Sequence, residues 1–264
     1  IAAEAFNRFG GFDTWVNNAG VSVYGKLEDV SIDDMRQVFE TNFWGVVHGS
    51  LVAATHLKVT GGALINVGST LSDRAIPIQG IYCASKHAVQ GFTDAFRMEL
   101  EADDAPISVT LIKPSSINTP YKEHAKNYLE YEPVNPPPVY APETVAETIL
   151  FCAENPTRDA FVGGGGKALS VLHKYAPRLT DMYMESMMID GQKSDEPADH
   201  RPDDSLYKSR DSSLRERGEY DGHVSESSLY TKASLHPLLT GAAVALGAAG
   251  LAYSVYAATN SRSE

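Results

Sequence analysis

The sequence predicts an α/β protein built on a doubly wound parallel sheet. Three features carry this expectation. The short apolar runs 12–16, 63–67 and 107–112 lack polar alternation, the pattern of strands buried on both faces. Stretches of helical periodicity separate them. The runs stop at Asn17-Asn18-Ala19-Gly20, at Gly68-Ser69-Thr70 and at Pro114, residue types that turn a chain out of a sheet.

In chain order, residues 1–9 read as the end of an amphipathic helix, closed by Gly10-Gly11. The strand at 12–16 follows. Ser31 is a good N-cap, and Asp33 and Asp34 place carboxylates in the first turn, where the helix dipole favours them. A long helix is expected from there to about residue 57, and Gly61-Gly62 marks a turn. After the strand at 63–67, a loop with Pro77 and Gly80 leads into a helix over about 82–101. The strand at 107–112 comes next. Pro142 stands where the first residue of another helix belongs, and that helix should end near Asn155-Pro156. Residues 159–162 make a last short strand. No internal repeat of fixed period is present.

The 264 residues suffice for one large α/β domain and a tail. The domain is expected over 1–190. From 191 to 234 Asp, Glu, Lys, Arg, Ser and Gly dominate, a composition expected to form a disordered polar linker. Residues 235–264 are expected to hold an apolar helix. Within it, 238–258 is an uncharged run of 21 residues, long enough for a membrane span though rich in Ala and Gly. Gly241, Ala245 and Ala249 recur at four-residue spacing, which lets two such helices approach closely. A helix packed on a partner is the alternative. Lys232 and Arg262 are too sparse to set an orientation.

The net charge of −12 repels phosphate backbones and argues against a nucleic-acid partner. The two cysteines, Cys83 and Cys152, show no metal-ligand spacing and are too few for a disulfide framework. A reducing compartment suits them, and Cys83 reads as a small buried filler.

Tyr82 and Lys86 stand four apart on a predicted helix and so share a face. An ammonium beside a phenol favours phenolate and lowers the phenol's pKa towards working pH. By itself the pair recurs on many exposed helices. Ser69 lies thirteen positions earlier, at the carboxyl end of a predicted strand, where ligands bind in open parallel sheets. Asn42, twenty-seven positions before Ser69, is a polar residue among Phe39, Phe43, Trp44 and Val46 in a predicted helix. A satisfied polar group in the core is the plainer explanation.

Taken together and in order, Asn17-Asn18-Ala19-Gly20, Asn42, Ser69 and Tyr82-x-x-x-Lys86 resemble the signatures of the short-chain dehydrogenase/reductase family, in its classical branch. The resemblance covers roughly residues 1–175. It implies a Rossmann-like fold and hydride transfer between a nicotinamide and a carbonyl or alcohol. By position it makes Tyr82 the general acid/base. Lys86 then lowers the pKa of Tyr82 and holds the cofactor ribose. Ser69 orients and polarises the carbonyl, and Asn42 holds a water that links Lys86 to solvent. Asn17, Asn18, Ala19 and Gly20 stabilise the sheet and line the cofactor floor. Pro114, Ile117 and Thr119 contact the nicotinamide end. The cofactor is NADP or NAD, with NADP favoured, and the substrate is a small carbonyl or alcohol. Homo-oligomers through the helices near 31–57 and 82–101 are implied. The apolar run, which lies beyond the resemblance, suggests a place on the cytoplasmic face with residues 238–258 as membrane anchor.

The sequence departs from the family pattern in two places. Ser115 stands where Gly usually follows Pro114, and would be strained if that position needs a positive φ. No glycine-rich phosphate turn precedes Asn17. The chain is therefore expected to be a fragment, lacking on the order of 70–80 residues of strand–helix units. It should bind a dinucleotide poorly as written and expose the apolar edge of its first strand. Residues 120–140 are expected to form a mobile substrate loop. Tyr121, His124, Tyr128 and Tyr131 are candidate pocket residues there, although each alone is as well explained as surface, and Pro136-Pro137-Pro138 stiffens the return. Gly163 to Gly166 with Lys167 lacks P-loop spacing and reads as a flexible connection. Two other functions compete: an inactive, tethered scaffold, and a sugar-nucleotide epimerase, which also uses Tyr-x-x-x-Lys. The Asn-Asn-Ala-Gly run and the lack of a large C-terminal substrate domain speak against the epimerase.

Overall fold

The computed structural model describes residues 1–199, 204–209 and 215–260, with side chains through 254. The expected positions 200–203, 210–214 and 261–264, Arg262 among them, lie outside the described residues. Helix α1 (Ala2–Phe9) closes on Gly10 at φ 78. Strand β1 (Thr14–Asn17) leads to helix α2 (Ile32–Phe39), a π turn (Glu40–Trp44) and helix α3 (Gly45–Thr60). Then follow β2 (Gly62–Val67), α4 (Gly80–Ala102), β3 (Ile107–Pro114), α5 (Glu143–Glu154) and β4 (Asp159–Val162).

The four strands form one sheet in the order β1-β2-β3-β4. All pairs are parallel, with Val16 opposite Ile65, Leu64 opposite Val109 and Leu111 opposite Asp159. Successive side chains point to opposite faces. Leu64 and Val109 accordingly join Ala53, Leu57 and Leu100 on the α3–α4 side. Ile65 and Ile112 join Cys152, Ala160 and Val162 on the α5 side. Both faces are covered, which is why the strands show no polar alternation. Among the described residues β1 pairs only with β2, and Val16 is 37% exposed.

The Ser31 cap is present, its side chain accepting from the Asp34 backbone N–H at 3.2 Å. The long helix expected from that cap is interrupted by the π turn, whose wider ring carries the Gly45 N–H back to the Glu40 carbonyl. Pro142 caps α5 one residue ahead of its first turn.

Two further expectations are corrected. Gly163 to Gly166 does not form a flexible connection. It starts helix α6 (Gly164–Tyr175), which is followed by α7 (Pro177–Tyr183). A Cβ on Gly166 would lie 2.1 Å from Thr70 Cγ2, so close packing explains this glycine. The polar stretch 191–234 is also not a disordered linker in its described residues. Lys193–Pro197 pairs antiparallel with Tyr131–Pro133, and Val224–Ser225 pairs parallel with Val139–Tyr140. Leu206 is 2% exposed against Val23, Val30 and Val38. The Tyr207 hydroxyl donates to Asp34 at 2.7 Å, and Arg217 reaches Glu143 and Glu226. Such a segment has too little apolar surface to fold alone, but a few anchors suffice to dock it on a formed surface. Leu206→Ala should weaken that docking by about 2–3 kcal/mol. Limited proteolysis should then cut near 204–208 much faster than in the parent; an equal rate would show that burial of Leu206 does not hold the segment.

Helix α8 (Leu229–Leu235) packs its Tyr230 against Gly164, and helix α9 (Pro237–Asn260) follows. Among the described residues α9 is the one helix long and apolar enough to cross a membrane. Its window Pro237–Ser254 has a mean hydropathy of 1.4 and none of it is buried.

Candidate active site

The candidate residues gather where the parallel strands end and the helices begin, at the carboxyl edge of the sheet. Lys86 lies one turn beyond Tyr82 on α4. It is 4% exposed, and its Nζ donates to the Val67 carbonyl at 2.8 Å. The same Nζ stands 5.7 Å from the centre of the Tyr82 ring, within reach of a cation–π contact. Asn42 is fully buried in the π turn. Its Oδ1 accepts from the Val21 N–H at 2.8 Å, and its Nδ2 donates to the Val21 carbonyl at 2.9 Å and to Ser85 Oγ at 3.0 Å. Ser85 Oγ in turn donates to the Tyr82 carbonyl at 2.7 Å. Asn42 is thus a satisfied core polar group that also locks the turn after β1 to the helix carrying Tyr82.

Ser69 follows β2 and caps a single turn, Thr70–Ser72, its Oγ accepting from the Leu71 N–H at 3.0 Å. Ser69 also lies close enough to the Tyr82 phenol to favour its ionised form. Gly20 closes the other side. A Cβ there would stand 3.5 Å from Asn42 Oδ1 and 3.8 Å from Lys86 Nζ.

The remaining expected cofactor residues divide. Asn17 points into the sheet–helix junction, where its Nδ2 donates to Asn66 Oδ1 at 2.8 Å and to Ser50 Oγ at 3.0 Å. Asn66 Nδ2 continues to Thr93 Oγ1 at 2.9 Å, so one chain of amides ties β1 and β2 to α4. Asn18, Ala19 and Gly20 are exposed at the mouth. Pro114 ends β3. Ile117 packs against the α5-side core, away from the opening. The Thr119 N–H donates to the Ile117 carbonyl at 2.9 Å. The strain feared at Ser115 is absent, because Ser115 is not among the positive-φ residues and its N–H donates to the Val162 carbonyl at 2.9 Å.

Electrostatics depart from the expectation that Lys86 brings Tyr82 towards neutrality. Burial pushes the Tyr82 phenol up to about 12, and the neighbouring Ser69 and Tyr121 hydroxyls offset only part of this. Burial likewise pushes the Lys86 ammonium down to about 8. Loss of water around both groups outweighs their mutual attraction.

Several residues were not singled out from the sequence. Tyr24 is 1% exposed, and its ring meets Tyr121 at 6.4 Å. Tyr121 in turn meets Tyr82 edge-on at 5.5 Å. The Tyr121 hydroxyl donates to Gln79 Oε1 at 3.3 Å, and Gln79 Nε2 donates to Gln192 Oε1 at 2.6 Å. Ser85 had a readable signal, standing three residues after Tyr82 on the same helical face. Gln79 and Gln192 had none, being 113 positions apart.

The short chain dehydrogenase family model matches residues 1–129. The "Uncharacterized oxidoreductase YxnA" of Bacillus subtilis is 46% identical over 248 residues, 93% of this chain and 69% of that protein. The "Putative oxidoreductase SadH" of Mycobacterium tuberculosis is 30% identical over 173 residues, 62% of each chain. A solved short chain dehydrogenase from Burkholderia cenocepacia, in complex with NADP, superposes with a TM-score of 0.59 at 24% identity over 70% of this chain and 74% of that one. The chain belongs to the short-chain dehydrogenase family, a family of NAD(P)-dependent oxidoreductases.

Proposed function

We propose that the protein interconverts a carbonyl and an alcohol with NADP or NAD as cofactor, and that Tyr82 moves the proton. The carrying observation is the buried Lys86 ammonium, held by the Val67 carbonyl at the carboxyl edge of the sheet and 5.7 Å from the centre of the Tyr82 ring. Ser69 holds and polarises the carbonyl oxygen. Tyr82, a protonated phenol at neutral pH, gives its proton to that oxygen as the alcohol forms.

The residues present fit a nicotinamide riboside. Lys86 makes one hydrogen bond among the described residues, which leaves two ammonium donors for ribose hydroxyls. Gly20 leaves open the space beside it that a Cβ would fill. Thr119, beyond Pro114, is the candidate contact for the carboxamide end. The dinucleotide, when bound, supplies or accepts the reducing equivalent. Asn42 has both amide hydrogens engaged within the chain, so its part in a water relay rests on the remaining acceptor capacity of Oδ1 and on the π turn's carbonyls.

NADPH and NADH should each be titrated by fluorescence against the complete protein, followed by turnover of a carbonyl panel. Saturable binding of at least one, with turnover, is the expected result. Absence of binding to both would favour a tethered scaffold of reductase ancestry. The exposed apolar helix α9 supports a membrane anchor, which co-sedimentation with lipid vesicles tests. Exposed Leu51 and Val52 on α3 and Met98 on α4 support pairing of two copies, which sedimentation velocity reads directly.

A further inference from the structure

We propose that Asp34 is a specificity-determining positioning residue that clamps the aromatic wall beside Tyr82. This deepens the reading of the site as a carbonyl–alcohol centre and rests on it.

Asp34 is 2% exposed. A carboxylate so placed is costly unless charges and hydrogen bonds compensate it. It lies in the first turn of α2, where the helix dipole favours an acid. The rest of its compensation comes from residues distant in the chain. Lys126 Nζ stands 2.7 Å from its Oδ2, and the Tyr128 hydroxyl donates to the same oxygen. The Tyr207 hydroxyl donates to Oδ1 at 2.7 Å. Desolvation pushes the carboxyl up, but these bonds outweigh it and hold the group below its usual range. The clamp is therefore charged at neutral pH.

Its targets belong to the site. Lys126–Asn127 pairs parallel with Val23–Tyr24. The Lys126 N–H donates to the Ser22 carbonyl at 3.1 Å, and the Tyr128 N–H to the Tyr24 carbonyl at 2.8 Å. On either side of this pairing, Tyr121, Ala125 and Leu129 pack with Tyr24 in one apolar cluster. The Tyr24 ring meets Tyr121 at 6.4 Å, and Tyr121 meets Tyr82 at 5.5 Å. Tyr207 brings in a third segment. There the Ser205 N–H donates to the His124 carbonyl at 2.9 Å, and Leu206 is buried on Val23 and Val38. One carboxylate thus joins α2, the wall beside the phenol and the polar segment that follows the sheet.

A buried charge with several donors fixes the elements it joins in one register. With that contact weakened, the wall samples other positions, and a fraction of molecules presents the formed pocket. Apparent substrate affinity falls by that fraction. Ser69, Tyr82 and Lys86 are carried by the turn after β2 and by α4, outside the clamp. They keep their geometry, so a bound substrate reacts at the parent's rate.

The test compares parent, Asp34→Asn and Tyr207→Phe as complete proteins. Tyr207 is 58% exposed, so its variant loses a hydroxyl without opening the core. The probe is the ketone that the parent reduces fastest in the carbonyl panel. Its KM should rise about tenfold in Asp34→Asn and about threefold in Tyr207→Phe, with kcat and dinucleotide affinity within about twofold of the parent. Selectivity, read as the ratio of kcat/KM between that ketone and the poorest ketone turned over, should move towards one. Amide exchange should quicken at 121–131 and stay unchanged in β2 and β3. A KM that stays put in both variants, a loss confined to kcat, or an unmoved selectivity ratio overturns the clamp and leaves the Tyr82 reading standing. A parent that turns over no carbonyl of the panel overturns both.

Discussion

Tyr82→Phe should lower carbonyl turnover by about 10²–10⁴-fold, the range that a positioned proton donor supplies, and leave dinucleotide binding in place. The substitution removes one oxygen. The ring that meets Tyr121 edge-on and underlies the Lys86 ammonium is kept. Ser69 retains its bond from the Leu71 N–H, and Tyr121 retains Gln79. The stability change should be no more than about 1 kcal/mol, too small to unfold a domain of this size. Loss of rate therefore reports chemistry and not folding. Burial keeps the phenol protonated far above neutral pH, so carbonyl reduction by the parent should not decline through neutrality on account of Tyr82. Steady-state rates and a fluorescence titration on the same sample check both halves. A variant that turns over normally would remove Tyr82 from the reaction.

The parts of this arrangement that the sequence made legible share a cause: each is a local pattern with one dominant physical reading. Strands covered on both faces leave continuous apolar runs, so β1, β2 and β3 are readable within two residues of their ends. Tyr82 and Lys86 share a helical face by spacing alone. The illegible parts depend on partners distant in sequence or on competing terms. Within the π turn, the Asn42 side chain reaches both Val21 and Ser85, 21 and 43 positions away. Composition measures whether 191–234 folds alone, and says nothing of Leu206 docking on Val23 and Val38. Four glycines in a row oppose helix formation, yet α6 starts there, and Gly166 is required because Thr70 leaves no room for a side chain. The spacing of Tyr82 and Lys86 predicts mutual pKa tuning, but the balance between attraction and desolvation is set by burial, which spacing does not reveal.

That balance leads to an opposed effect on stability and rate at Lys86. Lys86→Met should slow turnover by at least about 10²-fold and yet stabilise the protein at neutral pH. Lys86 is 4% exposed and burial pushes its ammonium from 10.5 down to about 8. Between those two values the unfolded chain holds more protons than the folded one, so the parent's stability rises with pH across that window. Below about pH 8 the full penalty applies, about 3 kcal/mol at 1.36 kcal/mol per unit. Met fills similar space without the charge. It leaves the Val67 carbonyl without its partner, which returns about 1 kcal/mol of cost. The net gain should be about 2 kcal/mol at pH 7. It should shrink above pH 8 and vanish near pH 10. Denaturant unfolding of parent and variant at pH 7 and pH 10 reads the sign directly. A variant less stable than its parent at pH 7 would mean that the ammonium's bond to Val67 outweighs its desolvation. A gain in stability with loss of turnover would mean that the fold retains a charge it would be more stable without, as expected of a group kept for what it does to a ligand and to Tyr82.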